Sequence, residues 1–172
     1  MSFEEFVSSI EAEPLKRVAR YWHLVRGARR MPGWRDLSPS KLTGELPIIW
    51  SWKHDPARDE FTGRLAGDAI EAVFGKSFRG ARMDEIFMPQ QLPRILARHR
   101  RVVSQPCFFR GCGVVFGHLA RYGVGERIIM PLSETGGACD GLLGATVYEM
   151  DSGPAALQQA DGGETEEWFA LG

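Results

Sequence analysis

The hydrophobic period of this chain changes three times, and that order of periods limits its fold more than any single motif. From Pro14 to Gly27 the apolar residues Leu15, Val18, Trp22 and Val25 recur at offsets of three and four, one face of a helix, with Pro14 suited to its first turn and Gly27 to its stop. The segment MPGWRDLSPSKL then reads as an ordered loop leading into a helical turn, with Ser38 as N-cap and Pro39 at its first position. Residues 46–54 (LPIIWSWKH) are rich in β-branched and aromatic residues, DPARD has the composition of a turn, and FTGRLAG (61–67) completes a hairpin. Helical patterns return over 68–74, 83–87 and 89–103. Strand patterns follow over 107–117, 126–134 and 142–150. An α/β (α+β) domain is expected: a five-stranded antiparallel sheet with helices on one face and an amphipathic N-terminal helix.

Composition agrees with one folded domain. The 172 residues are enough to bury a core unaided, and 21 basic against 22 acidic residues exclude a bulk nucleic-acid binder. Glycine and proline, 20 and 10, favour turns and short strands over a helical bundle. No window is long and apolar enough for a membrane helix, and the acidic opening MSFEEF is unlike a signal peptide, so a cytoplasmic protein is expected. The expected organisation is an extension over 1–13, a domain over 14–150, and an acidic tail over 151–172 with one short helix around Glu164 to Leu171. Charge is uneven: Lys16, Arg17, Arg20, Arg26, Arg29, Arg30 and Arg35 lie in a stretch without acids, and six acids without a base run from Glu149 onward.

Several stretches resemble a known family. LAGDAIEAVFGKSFRGARMDEIF resembles the second strand, short helices and loop of PAS domains, in which a strand ends in Ala-Gly and enters a helix closed by Phe-Gly. The run YWHLVRGARRMPGWRDLSPSKLTGELPIIW, the RLAG at 64–67 and the closing ERIIMPLSETGGACDGLLGATVYEM are similar to a bacterial family of stand-alone, single-domain PAS-like proteins. The matching positions of the opening run are Trp22, Arg26, Gly27, Arg30, Met31, Pro32, Arg35, Asp36 and Pro39. The resemblance covers about residues 14–150. It implies a PAS fold and a sensory or protein-docking role.

The chemistry-bearing residues point away from catalysis. No GxSxG, P-loop, HExxH or strand-borne GxGxxG occurs, so no enzyme is expected. Cys107, Cys112 and Cys139 lack CxxC spacing and do not match the helix-borne cysteine of flavin photosensors. His99 lies on an apolar stripe with Leu92, Ile95, Leu96, Val102 and Val103 and is the candidate for a haem ligand, for a polar contact to a ligand, or for a structural histidine. Its offset from the family's haem-ligand position disfavours haem, and His23, His54 and His118 have no ligand-spaced neighbours, so neither cofactor nor metal is expected. A helix-sheet cavity for a small apolar ligand is expected to be lined by Leu65, Ile70, Val73, Phe74, Met83, Phe87, Leu92, Leu96, His99, Ile129 and Leu143, residues that would equally fill a core.

Partners follow from the N-terminal helix. Leu15, Val18, Trp22 and Val25 are expected to pack on the sheet's outer face or on a second subunit, with Trp50 and Trp52 supplying the receiving surface. The expected function is non-catalytic sensing, read out by a protein partner or through a homodimer. The alternatives are a nucleic-acid-associated protein that uses the basic helix, a role with no groove-reading or stacking motif beside it, and a small-molecule carrier.

Overall fold

The computed structural model of the chain describes residues 2–118, 121–151 and 163–172. Helices α1 (Phe3–Ser9) and α2 (Glu13–Arg26) precede the hairpin β1 (Ile49–Asp55) and β2 (Glu60–Ala66). Helices α3 (Asp68–Phe74), α4 (Met83–Ile86) and α5 (Leu92–Ser104) form the crossover. Strands β3 (Cys107–His118), β4 (Arg121–Leu132), β5 (Gly141–Asp151) and β6 (Glu164–Ala170) complete one antiparallel sheet in the order β2-β1-β5-β4-β3-β6. The expected architecture is therefore present with a sixth strand added. No helix among the described residues is long and apolar enough to cross a membrane.

That sixth strand corrects the expectation of a helix around Glu164. Alternate residues of β6 serve opposite faces: Trp168 meets Phe109 edge-on at 4.8 Å between ring centroids, and Phe169 packs on Phe6 at 5.5 Å. Pairing with β3 satisfies backbone groups that a helix would leave on the sheet edge. Residues 152–162 of the expected tail lie outside the described residues.

Two cores flank the sheet. The outer core joins α1 and α2 to Ile49, Phe108, Ile128, Met130, Leu143 and Ala145. Residues 3–9, expected as an extension, thus form a helix whose Phe3, Phe6 and Val7 are buried. Leu15, Val18 and Trp22 are completely buried against this same face, and Val25 is half-buried at its rim. The Trp22 indole donates to the Pro131 carbonyl at 2.9 Å and meets Phe108 edge-on at 5.1 Å. The helix stripe is consumed within the chain and is not a free docking surface.

Trp50 and Trp52 lie on the opposite, inner face with Phe61, Ile70, Phe78, Ile129 and Leu142, so they do not receive the N-terminal helix. Gly144, beside Trp50 on β5, decides this: a Cβ there would stand 2.2 Å from the indole, so glycine supplies the space the ring occupies. Leu143, expected to line the cavity, consequently points outward. Leu65 does too, because the β1–β2 register shifts between Ser51 and Trp52. Gly63 pairs with Trp52 and Leu65 with Ser51, and the extra residue reverses the side on which Leu65 emerges.

Trp22→Ala should cost about 3–5 kcal/mol by removing a fully buried indole, whereas Leu24→Ser on the exposed side of α2 should change stability by less than about 0.5 kcal/mol. Urea denaturation of the two variants checks the contrast.

Candidate functional site

The inner face and the crossover helices enclose two neighbouring spaces. The deeper has a volume of about 20 Å³ and is bounded by Trp50, Trp52, Ile70, Phe74, Phe78, Phe87, Ile95, His99, Phe116 and Arg127. That is room for little more than one water molecule. A wider chamber of about 320 Å³ shares Phe74, Phe87, Ile95, Phe116 and Arg127 with it and adds Gln90, Gln91, Arg94, Arg98, Tyr122 and Glu164. The shared side chains stand between the wider chamber and the small cavity that His99 lines.

His99 closes the deep end. Its Nδ1–H donates to the Ile95 carbonyl at 2.7 Å, which leaves Nε2 as a bare acceptor, buried without a partner. The ring lies 5.6 Å from Trp50 and 5.8 Å from Phe61. Burial holds its pKa down to about 3, and the nearby Arg98 and Arg127 charges act in the same direction. The imidazole is neutral at physiological pH.

A cluster of charge, with Arg98 and Glu164 buried and Arg94 half exposed, lines the wider chamber. Arg98 places Nη2 2.6 Å from Glu164 Oε2 and 2.9 Å from Glu166 Oε1. Arg94 reaches Glu166 Oε1 at 3.1 Å and the Glu164 carbonyl at 3.0 Å. Burial works against the Glu166 carboxylate, but Arg98 and Arg94 outweigh it and keep the pKa below its ordinary value. Gly111 lies beside this cluster, and a Cβ there would stand 2.1 Å from Glu164 Oε1, so a larger residue would displace that carboxylate.

Arg127 is treated differently. Its Nε lies 2.8 Å from Glu164 Oε1, yet neither atom has a partner in hydrogen-bonding geometry. The guanidinium, 5.3 Å from the Phe116 ring centroid, is buried. Burial lowers its pKa to about 10, opposed by Glu164 and reinforced by Arg98 and Arg94.

Of the residues expected to line a cavity, Ile70, Phe74, Phe87 and His99 do so. Ile129 and Val73 pack in the inner core beside them. Met83, Leu92 and Leu96 line a separate groove on the far side of α5, with Asp59, Asp84 and Arg100. The sequence reading missed Trp50, Trp52, Phe78, Phe116, Arg98, Arg127 and Glu164. Parity offered a signal for Arg127, which stands two residues before the inward Ile129 on one strand.

The cysteines stand apart from this site. Burial pushes the Cys107 thiol up and raises Cys112 and Cys139 to about 11 each, so all three are poor thiolates. No cluster of metal-ligating side chains occurs among the described residues. On the basic helix Lys16 pairs with Glu13 and Arg17 with Glu45, and just after it Arg29 pairs with Asp36, which removes several of the charges a phosphate backbone would need.

A family model described as PAS domain matches residues 10–147. The chain belongs to the PAS-domain family. Among solved structures, this chain is similar to VqmA bound to DPO, at 14% identity and a TM-score of 0.47 over 64% of this chain and 56% of that one. The Vibrio cholerae VqmA dimer matches at 16% identity and a TM-score of 0.48, over 72% and 56%. An RNA-binding Light-Oxygen-Voltage receptor matches at 14% identity and a TM-score of 0.37, over 66% and 34%. The chain therefore spans little more than half the length of the VqmA chains. No curated protein matches it.

The neutral His99 makes stability depend on acid. Its folded pKa of about 3 lies below the ordinary 6.5, so between those values the unfolded chain binds more protons and stability falls as pH falls. His99→Gln should flatten acid denaturation in this window, where the wild type loses up to about 1.4 kcal/mol per pH unit from this group. Urea midpoints measured from pH 7 to pH 4 check the slope.

Proposed function

We propose that this PAS domain is a non-catalytic sensory or regulatory module that takes up a small, largely apolar ligand between α5 and the sheet. The observation that carries the reading is His99 Nε2, a buried acceptor left without a partner on the wall of the small inner cavity, which shares five side chains with the wider chamber next to it. The walls supply apolar contact, and the open acceptor gives a ligand one directional bond. The three poor thiolates, remote from the cavity, favour binding over covalent chemistry. A resident haem or flavin is disfavoured, because the space beside His99 is about 20 Å³.

Output through protein contact fits the same geometry. Helix α5 carries His99 and Ile95 on the cavity wall, while its Arg94 and Arg98 grip β6. A ligand that shifts α5 therefore changes the hold on β6, and a protein partner or a second copy of the chain can read that change. The ion pairs on and just after the basic helix favour this route over a nucleic-acid partner.

Native mass spectrometry of the freshly purified chain, before and after incubation with a small-metabolite extract, tests the reading. One equivalent of a noncovalent small molecule, lost on denaturation and reduced in Phe116→Trp, is expected. A folded chain that neither retains nor takes up any small molecule overturns it.

A further inference from the structure

Resting on that reading of the cavity, we infer that its ligand is a small organic acid: a carboxylate that pairs with Arg127, carried on an apolar body seated among Phe74, Phe87 and Phe116. Arg127 is the starting point. Its side chain is 10% exposed and carries five N–H donors, and its buried Nε has no hydrogen-bond partner. A buried cation left in that condition is costly, and a carboxylate is the group whose geometry its fork matches.

The neighbouring acids do not meet this need. Arg98 Nη2 already takes Glu164 Oε2 and Glu166 Oε1, and Arg94 shares Glu166. Glu164 Oε1 lies near Arg127 Nε, but off the line of its N–H, and is itself without a hydrogen bond. Three guanidinium groups thus face two carboxylates, an excess of one positive charge beside the wider chamber.

The same count selects among anions. One surplus charge balances a monoanion, and Glu164 Oε1 stands close enough to Arg127 to repel the second charge of a phosphate ester. The walls select the body: Phe74 meets Phe116 edge-on at 5.5 Å and Phe87 at 5.3 Å, and with Ile95, Val114 and Val115 these rings give the chamber an apolar side across from its arginines. At about 320 Å³ it suits an aryl or short alkyl acid.

Isothermal titration at pH 7 with phenylacetate, its uncharged isostere phenylacetamide, and phenyl phosphate tests the assignment. Phenylacetate should bind at one equivalent and at least tenfold more tightly than either other probe, and Arg127→Met should bring it to the level of the amide. The acid-to-amide ratio of the wild type stands whether or not the variant folds. Equal affinity of acid and amide overturns the carboxylate while leaving the cavity as a binding site. An acid preference that survives in folded Arg127→Met overturns the role of Arg127. Absence of saturable phenylacetate binding, in a chain that native mass spectrometry shows to hold some other small molecule, overturns the inference and leaves the proposed function intact.

Discussion

One buried carboxylate holds the outer half of the molecule together. Glu126 on β4 accepts from Arg110 Nε at 2.6 Å, from the Glu11 amide at 3.0 Å and from the Ala12 amide at 2.8 Å. It thereby fastens the link between α1 and α2 to the sheet, and Arg110 extends the tie to Glu167 on β6 at 2.5 Å. Removing one member of such a buried network leaves another charge unpaired, at a cost of about 3–5 kcal/mol. The apolar contacts of α1 and α2, including the stacking of Phe6 on Phe108 at 4.7 Å, depend on those helices staying where this carboxylate holds them.

Adjacent strand residues face opposite ways, so the next position, Arg127, carries the buried charge of the inner face. Glu126 is met by three donors, whereas Arg127 is met by an aromatic ring and an ill-directed carboxylate. The outer face is a finished structural joint. The inner face keeps polar capacity in reserve, at His99 Nε2 and at Arg127, on the walls of its two neighbouring spaces. This difference between neighbouring residues separates scaffold from site.

Much of the fold was legible because period and punctuation agree. The helix ending at Gly27, the hairpin across residues 55–60, and α3 from Asp68 to Phe74 lie where capping and turn chemistry place them. Facing was harder to read. In LLGATV the two leucines are equivalent to any hydrophobic pattern, and only the indole of Trp50, which needs Gly144 beneath it, sets Leu142 inward and Leu143 outward. The register shift that turns Leu65 outward leaves no mark in composition. β6 was hidden because four of its seven residues are acidic or hydroxylic, and its partners, β3, Phe6, Phe109, Arg94, Arg98 and Arg110, are far away in sequence. The charged part of the site was lost with it, since Glu164 belongs to that strand.

The sheet order also sets a sequence of events during synthesis. Strand β3 lies between β4 and β6, and the residues of β6 leave the ribosome after all the other strands. Until Ala170 has emerged, the nascent domain presents β3 with one row of backbone groups unpaired and Phe109 uncovered by Trp168. When β6 docks, its Glu164, Glu166 and Glu167 meet Arg94, Arg98 and Arg110, so charge and backbone pairing are completed in one step.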